Sequence, residues 1–208
     1  MKVMFISFEG IDGSGKSTQF RLFKKYLEKE KEDFVVIREP GSTRAGEDIR
    51  EILLHKEYNL CPESELLLFL ASRAQIVREI VIPSLQEGKV VIADRFLDSS
   101  LAYQAYGRGL PVDLVKNINS FAVDSCLPDL TFLIDISARK AIKRKQKNTR
   151  NDKIETEGAE FFERVRNGYL TIAEENRDRV YIFDGEKSPN TLHKEVVRIF
   201  RKQKGGFV

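Results

Sequence analysis

Five short apolar runs punctuate the chain: Val3 to Phe8, Phe34 to Ile37, Val90 to Ala93, Leu130 to Ile134 and Val180 to Phe183. Each is rich in Val, Ile and Phe and predicts a strand. Four are continuous rather than alternating, the pattern of strands covered on both faces, which points to a parallel sheet between layers of helix. Between the runs the period changes. Phe20, Phe23, Tyr26 and Leu27 recur at helical spacing, with Lys24, Lys25, Glu28 and Lys29 on the opposite face, the mark of an amphipathic helix. Further helices are predicted over Ala45 to Leu54, Pro62 to Leu85, Val112 to Val123, Ala138 to Lys145, Ala159 to Glu175 and Thr191 to Gln203. Strand and helix alternate throughout. The expected fold is α/β: an open, doubly wound, five-stranded parallel sheet flanked by helices, with its ligand crevice at the carboxyl ends of the strands.

At 208 residues the chain suits one well-buried core, and a single domain is expected. The net charge of +3 is too near balance to point to nucleic acid. Its distribution says more. Arg139 to Lys153 holds eight basic residues and one acid, Asp152, a local +7, so an anion site is expected there. The polar stretch Lys145 to Glu157 lacks an apolar stripe and predicts a mobile flap. Cys61 and Cys126 stand apart from each other and from His55 and His193, which suggests neither a disulfide nor a zinc site. No run reaches membrane-spanning length and no signal peptide is recognisable, so the cytoplasm is the expected compartment.

Gly10-Ile11-Asp12-Gly13-Ser14-Gly15-Lys16-Ser17 fits the phosphate-loop pattern G-x-x-x-x-G-K-[ST], followed by Thr18. It leaves a predicted strand and opens a predicted helix, so backbone N–H groups and the helix N-terminus can converge on phosphate oxygens. The motif gives Lys16 the β- and γ-phosphates and gives the Ser17 hydroxyl one position on Mg²⁺. ATP is the expected donor.

A phosphate loop alone does not name the acceptor. A second segment does: Asp94-Arg95-Phe96-Leu97-Asp98-Ser99-Ser100-Leu101-Ala102-Tyr103-Gln104, leaving the third predicted strand. With the phosphate loop, Arg38-Glu39-Pro40-Gly41 and Phe69-x-x-x-Arg73, it resembles the bacterial thymidylate kinase family over nearly the whole chain. The resemblance implies transfer of the γ-phosphoryl group of ATP to dTMP, giving dTDP and ADP, usually by a homodimer; from the charge balance and the short apolar runs, neither nucleic acid nor membrane is an expected partner.

It also implies site residues. Arg95 and Arg50 match the positions that hold the acceptor phosphate, a task suited to the guanidinium fork. Asp12 matches a contact to the sugar 3′-hydroxyl. Asp94 is expected near the magnesium, directly or through water; an N-cap or a partner for Arg95 is the other reading. Phe69 and Arg73, four apart on one helix face, match residues that stack on thymine and bond its edge. By its leucine-rich run alone, Phe69 reads as core. Tyr103 and Gln104 match positions beside the deoxyribose and base, where a bulky ring leaves no room for a 2′-hydroxyl. Glu39, Ser99 and Ser100 complete the expected dTMP site.

In relatives the catalytic arginine lies either inside the phosphate loop or in a lid. Here the loop position is Gly13, so the burden is expected to fall on a lid over about 144–157, with Arg144 and Arg150 as candidates beside Lys16, Asp12 and Arg95. Alignment on Asp152 puts Asn148 where relatives often carry the lid arginine. The basic run also reads as a solvated helix face. Two other functions stay open at this point. A deoxynucleoside kinase would act on an uncharged hydroxyl, and a nucleotide-dependent switch or ATPase would use the basic run on a polymer.

Overall fold

The computed structural model describes residues 3–56, 58–145 and 157–205. The five expected strands are present as β1 (Phe5–Glu9), β2 (Phe34–Arg38), β3 (Val90–Asp94), β4 (Leu130–Asp135) and β5 (Val180–Asp184). Each runs one residue past the apolar stretch and ends on a charged residue. All pairings are parallel, in the order β2-β3-β1-β4-β5. The inner strands β1, β3 and β4 are buried almost throughout. The edge strands β2 and β5 are not covered on both faces and expose Val36 and Ile182, because an edge has a neighbour on one side only.

The helices are α1 (Lys16–Lys29), α2 (Arg44–Arg50), α3 (Pro62–Ile76), α4 (Ile82–Gln86), α5 (Leu97–Ser100), α6 (Val112–Val123), α7 (Ala138–Lys145), α8 (Ala159–Glu175) and α9 (Pro189–Gly205). π-helical stretches extend α2 over Glu51–His55, join α3 to α4 over Val77–Val81 and extend α5 over Leu101–Gly107. Successive β1 residues serve opposite layers, as a period of two requires. Ile6 and Phe8 join a core with Phe23, Leu27, Phe132 and Phe200, whereas Phe5 faces Ile37, Val77 and Val91. Phe8 lies 5.5 Å from Phe23 and 5.2 Å from Phe132, ring centre to ring centre; burying one such ring is worth about 1.5–3 kcal/mol.

This topology decides where the chemistry falls. Phe8 pairs with Asp94, and Asp94 with Arg38, so the carboxyl ends of β1, β3 and β2 stand in one row. The phosphate loop, Arg95 and Glu39 follow those three ends directly. No helix among the described residues is long and apolar enough to cross a membrane.

Candidate active site

The phosphate loop turns tightly where β1 hands over to α1. Gly10 has φ 141°, and a Cβ there would stand 2.5 Å from the Ile134 carbonyl oxygen, so only glycine fits against β4. Gly15, also left-handed at φ 101°, caps α1 without a side chain across the helix N-terminus. Lys16 reaches over this turn to donate to Asp94 Oδ1. Burial acts to raise the Asp94 pKa, but the charges of Lys16 and Arg95 bring it below the usual value, so Asp94 is ionised.

Ile11 to Thr18 line a cavity whose far wall is Gly185 and Lys187 from the β5–α9 connection and Pro189 and Leu192 from the first turn of α9. Arg144, near the end of α7, roofs it. Its Nη1 donates to the carbonyls of Ser14 at 3.3 Å and Gly185 at 3.0 Å, and Nη2 to Gly185 at 3.0 Å. The expected lid arginine thus bridges the phosphate loop and the opposite wall. Arg150 lies outside the described residues, as do Lys147, Asn148 and Asp152.

A second cavity opens on the other side of Lys16. Asp12, Lys16, Glu39, Arg50, Phe69, Asp94, Arg95, Ser99, Ser100, Tyr103 and Gln104 line it, with Arg38, Pro40 and Leu54. Asp12 and Lys16 belong to both cavities. Arg95 sits at φ 71°, a left-handed conformation costly for a side chain with a Cβ. That turn sends its guanidinium inward, where Nη2 donates to Asp12 Oδ1 at 2.6 Å and to the Tyr103 hydroxyl at 3.1 Å. Nη1 donates to Ser99 Oγ at 3.2 Å and to the Tyr169 hydroxyl at 3.1 Å. The Tyr103 hydroxyl in turn donates to Asp12 Oδ2 at 3.0 Å. Burial holds the Tyr103 phenol well above its ordinary pKa despite the nearby Arg95 charge, so it stays protonated. Arg50 donates to the Pro40 carbonyl at 2.9 Å.

Arg73 and Phe69 part company. Phe69 borders the cavity, whereas Arg73 is 1% exposed and lies behind its wall. Its five N–H donors go to Glu39, Ser100, Asn119 and the Phe96 carbonyl. Burial pushes the Glu39 carboxyl up to about 7, against the pull of Arg73.

Several residues of the site carry no sequence motif. Glu9, wholly buried at the end of β1, accepts four hydrogen bonds. Its Oε1 takes Ser7 Oγ at 2.8 Å and the Phe96 N–H at 2.7 Å; Oε2 takes Ser99 Oγ at 2.6 Å and the Tyr169 hydroxyl at 2.9 Å. Burial, reinforced by Asp98, raises its pKa, opposed by the Arg95 charge and by the Ser99 and Ser7 hydroxyls. Tyr169 lies outside every motif, yet its hydroxyl joins Arg95 to Glu9. Asn119, Glu65 and Arg108 also lie outside every motif, and Arg38, which lines the cavity, belongs to a recognised motif that gave it no role. The one available signal was an acid, Glu9, ending an otherwise apolar buried run.

Comparison with known proteins agrees with this geometry. The family model described as thymidylate kinase matches residues 8–196. The thymidylate kinase of Kosmotoga olearia is 57% identical over 95% of both chains. That of Fervidobacterium nodosum is 51% identical over 95% of this chain and 98% of its own. The crystal structure of the Ehrlichia chaffeensis thymidylate kinase superposes with a TM-score of 0.79 at 37% identity, covering 97% of this chain and 99% of that one. A phosphate loop facing an arginine-lined cavity across one lysine, in a chain that matches these relatives over at least 95% of its length, establishes that the protein belongs to the thymidylate kinase family.

Proposed function

We propose that the chain transfers the γ-phosphoryl group of ATP to dTMP, giving dTDP and ADP, in a single kinase domain. The observation that carries this reading is the meeting of the two cavities at Asp12 and Lys16. A donor gripped by the phosphate loop and an acceptor phosphate held beyond it then lie end to end, the arrangement an in-line transfer needs. The attacking oxygen belongs to a phosphate already ionised near neutral pH, so no general base is required. Catalysis rests on positioning and on cations preset around the transferring group.

Lys16 serves the β- and γ-phosphates. Arg95 and Arg50 take the acceptor phosphate, and Asp12, held by Arg95 and Tyr103, faces the sugar 3′-hydroxyl. Arg144 exchanges its bonds to Ser14 and Gly185 for phosphate oxygens when ATP enters, as the first residue of a lid over about 144–157. Phe69 stacks on the base. The Ser100 hydroxyl, which accepts from Arg73 at 2.9 Å, keeps its own proton to donate to a base carbonyl. Arg73 therefore acts on the base through Ser100.

The residues fit magnesium. Among those described, no three His, Cys, Asp or Glu group together as a metal cage, whereas Mg²⁺ takes most of its ligands from water and nucleotide phosphates. The Ser17 hydroxyl and the ionised Asp94 carboxylate are the oxygen donors that would complete its shell. When bound, the ion neutralises charge on the phosphate oxygens.

We also place a homodimer contact on neighbouring α3 and α6. Phe121 is 86% exposed, with Leu67 at 57% and Leu114 at 45%, more apolar surface than a solvated helix pair tolerates. An acceptor panel of dTMP, dUMP, UMP, dCMP, AMP and thymidine with ATP and Mg²⁺ tests the activity. The dTMP reaction should be fastest, and thymidine, which offers no phosphate to Arg50 and Arg95, should give no product. Phosphorylation of thymidine in preference to dTMP would overturn the reading.

A further inference from the structure

We propose that Glu65 and Arg108 form a positioning clamp that fixes which end of the Gln104 carboxamide the acceptor base meets, so selecting a pyrimidine with a ring N–H over one with a bare ring nitrogen. This rests on the reading above, in which the cavity lined by Gln104 takes the acceptor nucleotide.

Gln104 is 2% exposed, and its Nε2 donates to Glu65 Oε1 at 3.0 Å. Glu65 comes from the first turn of α3 and is itself held by a two-pronged guanidinium contact. Arg108 Nε donates to Oε1 at 3.2 Å and Nη2 to Oε2 at 3.1 Å. Arg108 is braced from its far side by Glu157 and lies 4.8 Å from the centre of the Phe161 ring. With both oxygens engaged by the fork, the carboxylate has one orientation. A carboxylate only accepts, so only the NH₂ end of Gln104 can face it. Turning the amide over would press two acceptors together where water does not intervene. The carbonyl oxygen is the end left for the occupant of the cavity.

Thymine and uracil present a ring N–H between two carbonyls; cytosine presents a bare ring nitrogen beside an amino group. A fixed acceptor matches the first pattern and opposes the second. The neighbouring Ser100 proton suits a base carbonyl in the same way. Specificity here is assigned to residues one layer behind the cavity wall, from α3 and from the turn after the π-helical stretch.

The test measures kcat/KM for dTMP and dCMP in the full-length protein. Glu65→Gln gives Gln104 a partner that can either donate or accept, so the dTMP to dCMP ratio should fall by about tenfold or more. The loss should enter through KM for dTMP, with KM for ATP moving less than about twofold. Glu65→Asp should keep more of the ratio than Glu65→Gln. In a Gln104→Leu background, Glu65→Gln should shift the ratio by less than about twofold, since the clamp has nothing left to orient. If Glu65→Gln fails to fold, Arg108→Met, which frees the carboxylate to rotate, should lower the ratio in the same direction. A folded Glu65→Gln or Arg108→Met protein with an unchanged ratio overturns the clamp, as does a Glu65→Gln effect that persists undiminished without Gln104. Failure of the wild type to make dTDP would instead strike the assignment of the reaction, before any variant is compared.

Discussion

Tyr103 does two things with one side chain. Its hydroxyl donates to Asp12 while receiving Arg95, and its ring lies 4.9 Å beneath the Arg95 guanidinium. The ring lines the acceptor cavity, and in the proposed reaction it fills the space beside the sugar. Tyr103→Ala should therefore raise the use of UMP relative to dUMP by about tenfold, read as a ratio of kcat/KM values in a coupled assay; Tyr103→Phe, which keeps the ring, should leave that ratio near wild type. An unchanged ratio in Tyr103→Ala would remove the ring from sugar selection. Tyr103 was legible in the sequence through its motif, as were Arg95, Ser99 and Gln104. Glu9, Tyr169 and Glu65 were not legible, because a buried hydrogen-bond partner has no spacing rule of its own. Helical spacing put Phe69 and Arg73 on one face; it could not say that Phe69 borders the cavity while Arg73 spends its donors behind the wall.

Among the elements, the strands and the long amphipathic helices followed from their periods, and α6, α7 and α8 begin and end where the pattern put them. The helical segment Leu97–Gly107 did not. Nearly all of it is buried, so it lacks the polar face that gives a 3.6-residue period its contrast. It can be so buried because α8 packs tightly on it. A Cβ at Gly168 would come within 2.7 Å of the Tyr106 ring, and one at Gly107 within 2.8 Å of Val165. The position of α7 carries a prediction of its own, since Arg144 touches both walls of the donor cavity. Arg144→Ala should lower kcat by about a hundredfold or more while KM for dTMP changes little, as expected of a cation acting on the transferring phosphate. A kcat within about threefold of wild type would move that role to another residue.

At the scale of the whole molecule, the order β2-β3-β1-β4-β5 gathers three strand ends into one row and so brings together segments far apart in sequence. Alternation of strand and helix implied such a crevice; the strand order itself did not follow from it, because several orders share one pattern. The homodimer contact proposed above uses the exposed apolar side chains of α3 and α6. Phe121→Asp should convert a dimer into a monomer in sedimentation, and an unchanged mass would place the contact elsewhere. The proposed reaction requires two nucleotides to meet phosphate to phosphate across Asp12 and Lys16. Its most direct measurement follows the wild-type protein with ATP and Mg²⁺ given dTMP or thymidine, with all products separated. The expected result is dTDP and ADP in equal amounts from dTMP and no phosphorylated product from thymidine; ADP released without dTDP, or dTMP made from thymidine, would contradict it.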